Sequence, residues 1–578
     1  MTERGPRLIP GLVDVTLERD VPCRMRDGVT LFADIYRPAG DGPFPVIVMR
    51  LPYDKTQAEN ITYADPSWYA RHGYIVVIQD TRGCCRAEGD WIPFLHEAED
   101  GYDTIEWAAR LSGADGKVGM YGFSYAGATQ LMPATLRPPS LVTICPALTA
   151  SEYYEGWTYN QGALALGFTM SWATDLASRE ARRAGDAAAV ADLFSTYAGI
   201  KGWNYFLPLS AFPPLTGAYG SYFRDWLDHP TEDDYWRRWS INADYGRLTT
   251  PALHVGGWYD IFLSGTVENF RGMRDGAGSE EARAGQKLIV GPWMHMPWAP
   301  VVTTTTCASA AVVDDLQLRW FDHFLKGQET GVLDAPVSLF VMGADEWRDY
   351  PDWPPPGTAP ARWYLHSEGR ANSRFGDGRL SLHAPDEEPP DRFTYDPLYP
   401  TPSLGGHSCC LDFAAPMGPA DQRPVEAFNG VLVYTSDLLS EPLELIGEVS
   451  VTLFAATSAR DTDWTARLCE VHPDGRSINL QEGIVRARYR DSLSSPSSVE
   501  PDRVYEYTIS LGPVGVRIAA GNRLRLTISS SDFPQWDRNL NTGGPLFSED
   551  ACAAVVATQT VLHDTAHPSH VTLPVVRI

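Results

Sequence analysis

A chain of 578 residues, 44% apolar and 21% charged, has the composition of a packed globular protein and not of a disordered one. At roughly 150 residues per domain it should hold three or four domains. Its 47 basic and 73 acidic residues leave a net charge of −26, which repels phosphate backbones and anionic lipid and argues against nucleic-acid or polybasic membrane binding.

In chain order, residues 13–17 alternate in polarity, Asp27-Gly28 signals a turn, and 30–36 form a second run stopped by Pro38. They predict an antiparallel pair. Residues 46–49 and 74–78 are short, continuous apolar runs, the pattern of strands buried on both faces of a mainly parallel sheet. Runs at 118–121, 141–145, 253–255 and 288–290 repeat it, and a helix is predicted over 97–110, its first turn rich in carboxylates. Alternating strand and helix make an α/β domain. Residues 149–245 interrupt the alternation with helical segments such as 186–198 and with many aromatics, and read as a cap over a pocket, most of its aromatics forming the cap's own core. After Trp353-Pro354-Pro355-Pro356, short alternating runs at 449–454, 464–471, 505–511 and 523–529 predict a β-sandwich of jelly-roll size. The expected organisation is hydrolase-type α/β over 1–148 and 246–353, cap over 149–245 and jelly roll over 354–578. No run approaches the ~18 apolar residues of a membrane span. Met1 to Pro6 leads into no signal segment, so a cytoplasmic protein is expected.

The nine cysteines show no Cys-x-x-Cys pair and no histidines at zinc spacing, so neither metal nor cofactor is expected. The vicinal pairs Cys84-Cys85 and Cys409-Cys410 are read as reduced, small apolar fillers, a vicinal disulfide or redox site being the alternative.

The segment Gly119-Met120-Tyr121-Gly122-Phe123-Ser124-Tyr125-Ala126-Gly127-Ala128 lies between a buried strand and a helix. A serine on such a turn is held with its hydroxyl out of the sheet, provided its neighbours are small enough for strand and helix to cross closely. Gly122, Ala126 and Gly127 meet that need, with Ala126 where G-x-S-x-G places its second glycine. Ser124 is therefore the candidate nucleophile. It needs a base to take its proton and an acid to orient the base. The strand at 252–255 runs into Gly256-Gly257-Trp258-Tyr259-Asp260, and the strand at 287–290 runs into Gly291-Pro292-Trp293-Met294-His295. Asp260 and His295 thus occur in the chain order of α/β-hydrolases, Ser, acid, His. His254, inside a buried strand, reads as a packed core residue. The oxyanion requires donors. One is the backbone N–H of Tyr125. A second is suggested by Arg50-Leu51-Pro52-Tyr53-Asp54-Lys55, where the Tyr53 hydroxyl either reaches the substrate carbonyl or is an ordinary loop residue.

These motifs resemble the bacterial cocaine esterase family, with its relatives the α-amino-acid ester hydrolases, glutaryl acylases and X-Pro dipeptidyl-peptidases. The likeness spans the chain, through Met25-Arg26-Asp27-Gly28-Val29, Gln79-Asp80-Thr81-Arg82-Gly83, Phe340-Val341-Met342-Gly343 and Asn539-Leu540-Asn541-Thr542-Gly543-Gly544 besides the segments above. The resemblance implies an α/β-hydrolase domain, an inserted helical cap and a C-terminal jelly roll. It implies Ser124, His295 and Asp260 as the triad, and Tyr53 as side-chain oxyanion donor. It also implies an acyl pocket walled by Trp157, Trp172 and Phe262. In the jelly-roll loop His407-Ser408-Cys409-Cys410, the cocaine esterase pattern has bulky apolar residues, so Cys409 and Cys410 imply a roomier or more polar wall. No carboxylate cluster for a substrate α-amine is located, which disfavours amino-ester and dipeptidyl-peptidase activity. The expectation is a cofactor-free serine hydrolase acting on a small carboxylic ester. An amide hydrolase or acyltransferase with the same triad is the alternative, and a non-catalytic binding protein the third reading. A jelly roll serving as both oligomer contact and pocket wall predicts a homodimer or larger.

Overall fold

The structure, a computed structural model, describes residues 14–40, 42–57, 63–295, 311–410 and 414–577. A ten-stranded mixed sheet forms the first layer. Its strands are β1 (Val15–Arg24), β2 (Thr30–Pro38), β3 (Phe44–Leu51), β4 (Ile75–Asp80), β5 (Ala114–Phe123), β6 (Leu141–Ala147), β7 (Ala252–Tyr259), β8 (Gln286–Met294), β9 (Val337–Val341) and β10 (Glu346–Tyr350), in the order β1-β2-β4-β3-β5-β6-β7-β8-β9-β10. The predicted hairpin is β1–β2, antiparallel, with β2 antiparallel to β4. From β4 through β9 every pairing is parallel, and β4 and β7 are buried along their whole length, which is why those strands read as unbroken apolar runs. His254 on β7 is a core histidine, hydrogen-bonded through Nε2 to Gln286 Oε1 (2.8 Å), and burial pushes its pKa down to about 4.

Helices α1 (Pro66–Arg71), α2 (Glu97–Ala108) and α3 (Tyr125–Ala134) connect the first strands. Between β6 and β7 lie the cap helices α4 (Leu166–Ala184), α5 (Ala187–Ala198) and α6 (Ser221–Asp228), α5 being capped by the Asp186 side chain on Ala189 N. Helix α7 (Leu263–Gly276) follows β7, and α8 (Ala311–Lys326) precedes β9. Helix α8 is not among the predicted elements, although Val313, Leu316, Trp320, Phe321 and Leu325 recur at helical spacing and are buried against the sheet.

The chain from Thr358 to Val576 is all-β, a jelly roll built of eleven strands. Its longest strand, Leu443–Thr457, pairs antiparallel with Tyr505–Ile518. One apolar core runs across the joint with the α/β domain, where Trp258, Leu263 and Phe340 pack with Leu445, Val514 and Val516. The Phe340-Val341-Met342-Gly343 motif makes that joint: Met342 N donates to Gly515 O (3.0 Å) and Arg517 N to Met342 O (2.8 Å). At Gly343, with φ +75°, a Cβ would lie 2.3 Å from Arg517 O. The Asn539 motif is equally structural, its amide donating to Asp461 and Asp463 beside the fully buried Arg486. Among the described residues no helix is long and apolar enough to cross a membrane.

Candidate active site

Ser124 sits between β5 and α3 with φ 60° and ψ −125°, a conformation that L side chains rarely adopt. Its amide donates to Ala147 O (2.9 Å) and its carbonyl accepts from Gly127 and Ala128, so the turn is held from both sides. The small neighbours are required by contact. A Cβ on Gly122 would lie 2.7 Å from Ala126 Cβ, and one on Gly127 would lie 2.7 Å from Thr149 Cβ.

Asp260 follows the end of β7 and His295 follows the end of β8, so adjacent parallel strands deliver both to one edge of the sheet. His295 Nδ1 donates to Asp260 Oδ1 (2.7 Å). A carboxylate only accepts, so Nδ1 carries the proton and Nε2 presents its lone pair to the Ser124 hydroxyl (3.0 Å). All three residues are buried. Phe262 packs edge-on against the imidazole, with ring centroids 5.0 Å apart.

Tyr53 lies in the loop after β3. Lys55, two residues on, is buried among Asp20 (2.8 Å), Asp80 (3.4 Å) and Asp34 (3.6 Å) and pins that loop. Burial works to lower the Lys55 pKa, but the three carboxylates prevail and hold it above its ordinary value. The Tyr53 phenol oxygen accepts a hydrogen bond from Trp172 Nε1 (3.1 Å), which leaves its own proton free to be given elsewhere. Burial pushes the Tyr53 pKa up, so the phenol keeps that proton.

Tyr125 starts α3, placing its amide next to Ser124. Its phenol is turned inward, accepting from Phe94 N and donating to Glu97 Oε1, both at 2.9 Å. Glu97 in turn holds the buried Arg50 (2.9 Å), which donates from Nε to Gln79 (2.9 Å). This ion pair and phenol brace the turn from behind.

Trp157, Trp172 and Phe262 meet in one aromatic cluster. Trp157 stacks on Phe262 at 4.2 Å and 14°, and meets Trp172 edge-on at 5.6 Å. Phe94, Phe168 and Trp226 complete it, Trp226 stacking on Trp172 at 5.6 Å and 7°.

The jelly-roll loop reaches this site. His407 donates from Nε2 to Trp258 O (2.8 Å), two residues before Asp260, and from Nδ1 to Glu482 Oε1 (2.9 Å). Two acceptors on one ring require an imidazolium. Although burial opposes it, the Glu482 carboxylate raises the His407 pKa, and His407 holds Glu482 down at about 2. Beyond that latch, Cys409 and Cys410 are joined in a disulfide, which corrects the expectation of two reduced fillers. The backbone turns at Cys410, with φ +73°, and brings the neighbouring sulfurs together. Both sulfurs and a ring nitrogen of His295 lie within 4.8 Å of one another. Cys84 and Cys85 are free thiols, the first buried and the second exposed.

Residues 27–297 match the X-Pro dipeptidyl-peptidase (S15 family) model, and residues 330–572 match the X-Pro dipeptidyl-peptidase C-terminal non-catalytic domain. The cocaine esterase of Rhodococcus sp. is 37% identical over 572 residues, covering 96% of this chain and 98% of that one. The chain belongs to the cocaine esterase family. It is a serine hydrolase. The same fold is seen in an aminopeptidase from a marine sediment Thaumarchaeota archaeon, at 24% identity and TM-score 0.80. An α-amino acid ester hydrolase shares it at 24% identity and TM-score 0.79, each comparison covering 100% of this chain and 99% of the other.

Several members of this site carry no signal in the linear chain. Glu97 passes for an ordinary helix-start carboxylate and is instead buried against Arg50 and Tyr125. Phe94, at φ +69°, and Phe168 give no periodic signal that separates them from other aromatics. His407 has no local motif at all, because its partners Glu482 and Trp258 come from distant strands.

Proposed function

We propose that Ser124, His295 and Asp260 hydrolyse a small carboxylic ester through an acyl-enzyme. Ser124 Oγ attacks the carbonyl carbon as its proton passes to His295 Nε2. Asp260 holds the imidazole in the required tautomer and steadies the imidazolium that forms. The Tyr53 hydroxyl and the Tyr125 amide donate to the oxyanion. His295 then protonates the leaving alcohol, and water repeats the sequence to release the acid. Trp157, Trp172 and Phe262 form the acyl wall, with Cys409 and Cys410 facing it from the jelly roll.

The observation that carries this reading is the unbroken relay of Asp260, His295 and Ser124 at 2.7 and 3.0 Å on a strained strand-to-helix turn. Ser124→Ala should abolish turnover of a short nitrophenyl ester and labelling by a fluorophosphonate. Near-normal turnover in that variant would overturn the reading. Matched ester and amide substrates, with an added acyl acceptor, distinguish esterase from acylase or acyltransferase chemistry. We place the protein in the cytoplasm, and exposed Phe375, Leu398, Tyr399 and Phe428 on the jelly roll are in keeping with a homo-oligomer. Light scattering that finds monomer throughout the micromolar range would refute the oligomer.

A further inference from the structure

The pair Cys409-Cys410 is unusual in its place more than in its chemistry. A disulfide between sequence neighbours closes almost no chain, so it removes little entropy from the unfolded state and contributes little to the fold. It nevertheless sits beside the imidazole of the relay, in a loop latched there by His407. Once reduced, the loop presents two thiols to His295. With Nδ1 held by Asp260, the ring nitrogen open to a cation is Nε2, at the expense of its hydrogen bond from Ser124.

We infer that reduced Cys409 and Cys410, together with His295 Nε2, form a binding site for a thiophilic divalent cation of the zinc type, which shuts the catalytic centre. Two thiolates and one imidazole are a favourable donor set for such an ion. Around a tetrahedral centre with metal–sulfur bonds of about 2.3 Å and metal–nitrogen bonds of about 2.0 Å, ligand atoms stand roughly 3.5–3.8 Å apart. Both sulfurs and one ring nitrogen of His295 already lie within 4.8 Å of one another, and breaking the S–S bond frees the sulfurs to separate. The fourth position falls to water. The electron balance is closed by an external reductant such as a phosphine. The S–S bond takes two electrons from the phosphine and two protons from water, and the water oxygen leaves in the phosphine oxide. The cation then displaces both thiol protons as the metal–sulfur bonds form. It also occupies the lone pair that would accept the Ser124 proton, and this inhibitory consequence rests on His295 being the general base. The sequence pattern hides the site because His295 and the cysteines come from different domains.

The test uses full-length protein, oxidised or phosphine-reduced, titrated with Cd²⁺ while thiolate-to-metal charge-transfer absorbance and nitrophenyl ester hydrolysis are followed in the same samples. One equivalent of absorbance should appear after reduction and be missing from the oxidised protein and from the Cys409→Ala/Cys410→Ala variant. Saturating Cd²⁺ should slow the reduced enzyme about 100-fold or more, as loss of a catalytic base does. The variant should need about tenfold more Cd²⁺ or beyond for the same fractional inhibition, whatever its basal rate. A second cluster, Asp54, Asp80 and Cys85, is distinguished by Cys85→Ser, which should keep the reduction-dependent signal. Absorbance equal in oxidised and reduced protein, or retained in the double variant, would overturn the site. Absorbance with no hydrolysis in any sample would leave the site standing and overturn the hydrolytic assignment instead.

Discussion

Replacing Tyr53 by Phe removes one oxygen from the site and separates its proposed role as oxyanion donor from its observed role as acceptor of the Trp172 N–H. Because Trp172 Nε1 already donates to that oxygen at 3.1 Å, the phenol's proton is the group available to a developing oxyanion. Loss of one such donor lowers kcat by about 100- to 1000-fold, or about 2.7–4 kcal/mol of transition-state stabilisation. The substitution also strands the buried Trp172 N–H, destabilising the fold by about 1–3 kcal/mol. The two effects part in a second variant. Trp172→Phe deletes the indole N–H while keeping the phenol, and should reduce kcat far less than Tyr53→Phe. Steady-state kinetics on a short nitrophenyl ester, with thermal inactivation half-lives measured alongside, report both. Since burial raises the Tyr53 pKa above its ordinary 10.0, wild-type kcat should hold its alkaline plateau to about pH 10 without a step from phenol ionisation. A Tyr53→Phe enzyme within about fivefold of wild-type kcat, or a loss confined to KM, would refute the oxyanion role.

Other consequences can be measured directly. The His407–Glu482 pair should stabilise the latch most between about pH 4.5 and 6.5. The raised His407 pKa means its contribution is full below its ordinary 6.5 and fades as pH rises through the folded value. The depressed Glu482 pKa means its contribution is full above its ordinary 4.5 and is lost as pH falls toward about 2. His407→Gln should shorten the inactivation half-life at pH 6 by leaving the buried carboxylate without its cation, at about 3 kcal/mol with Arg467 still near, and narrow the gap to wild type at pH 9. Ser124→Gly should be more stable than Ser124→Ala by about 1 kcal/mol in thermal unfolding, because glycine tolerates φ 60° where alanine retains the strain. Trp157→Ala removes the ring stacked on Phe262, and across a graded ester series the preferred acyl group should become larger.

The parallel strands, the serine turn and the positions of Asp260 and His295 are all legible in the amino-acid sequence, for reasons that are local. A strand buried on both faces has no polar positions to interrupt it, as β4 and β7 show. A turn in which a Cβ on Gly122 would lie 2.7 Å from Ala126 Cβ admits no larger residue and so writes itself into the chain. The acid and the base stand out because each ends a strand, which places it by topology alone.

What the linear chain does not show depends on partners far apart in it. Glu97 looks like any carboxylate in a first helical turn until Arg50 and Tyr125 close around it. The cysteine pair looks like filler because nothing beside it in sequence suggests chemistry. The net charge of −26 likewise says nothing about which few charges are buried at the site. The sequence by itself determined the fold class, and the types and order of the residues proposed for catalysis, since backbone sterics and burial act over a few residues. Only the tertiary structure decided that His407 latches the jelly roll to β7 and that two sulfurs face His295. Those contacts join segments more than a hundred residues apart, and no local pattern encodes such a distance.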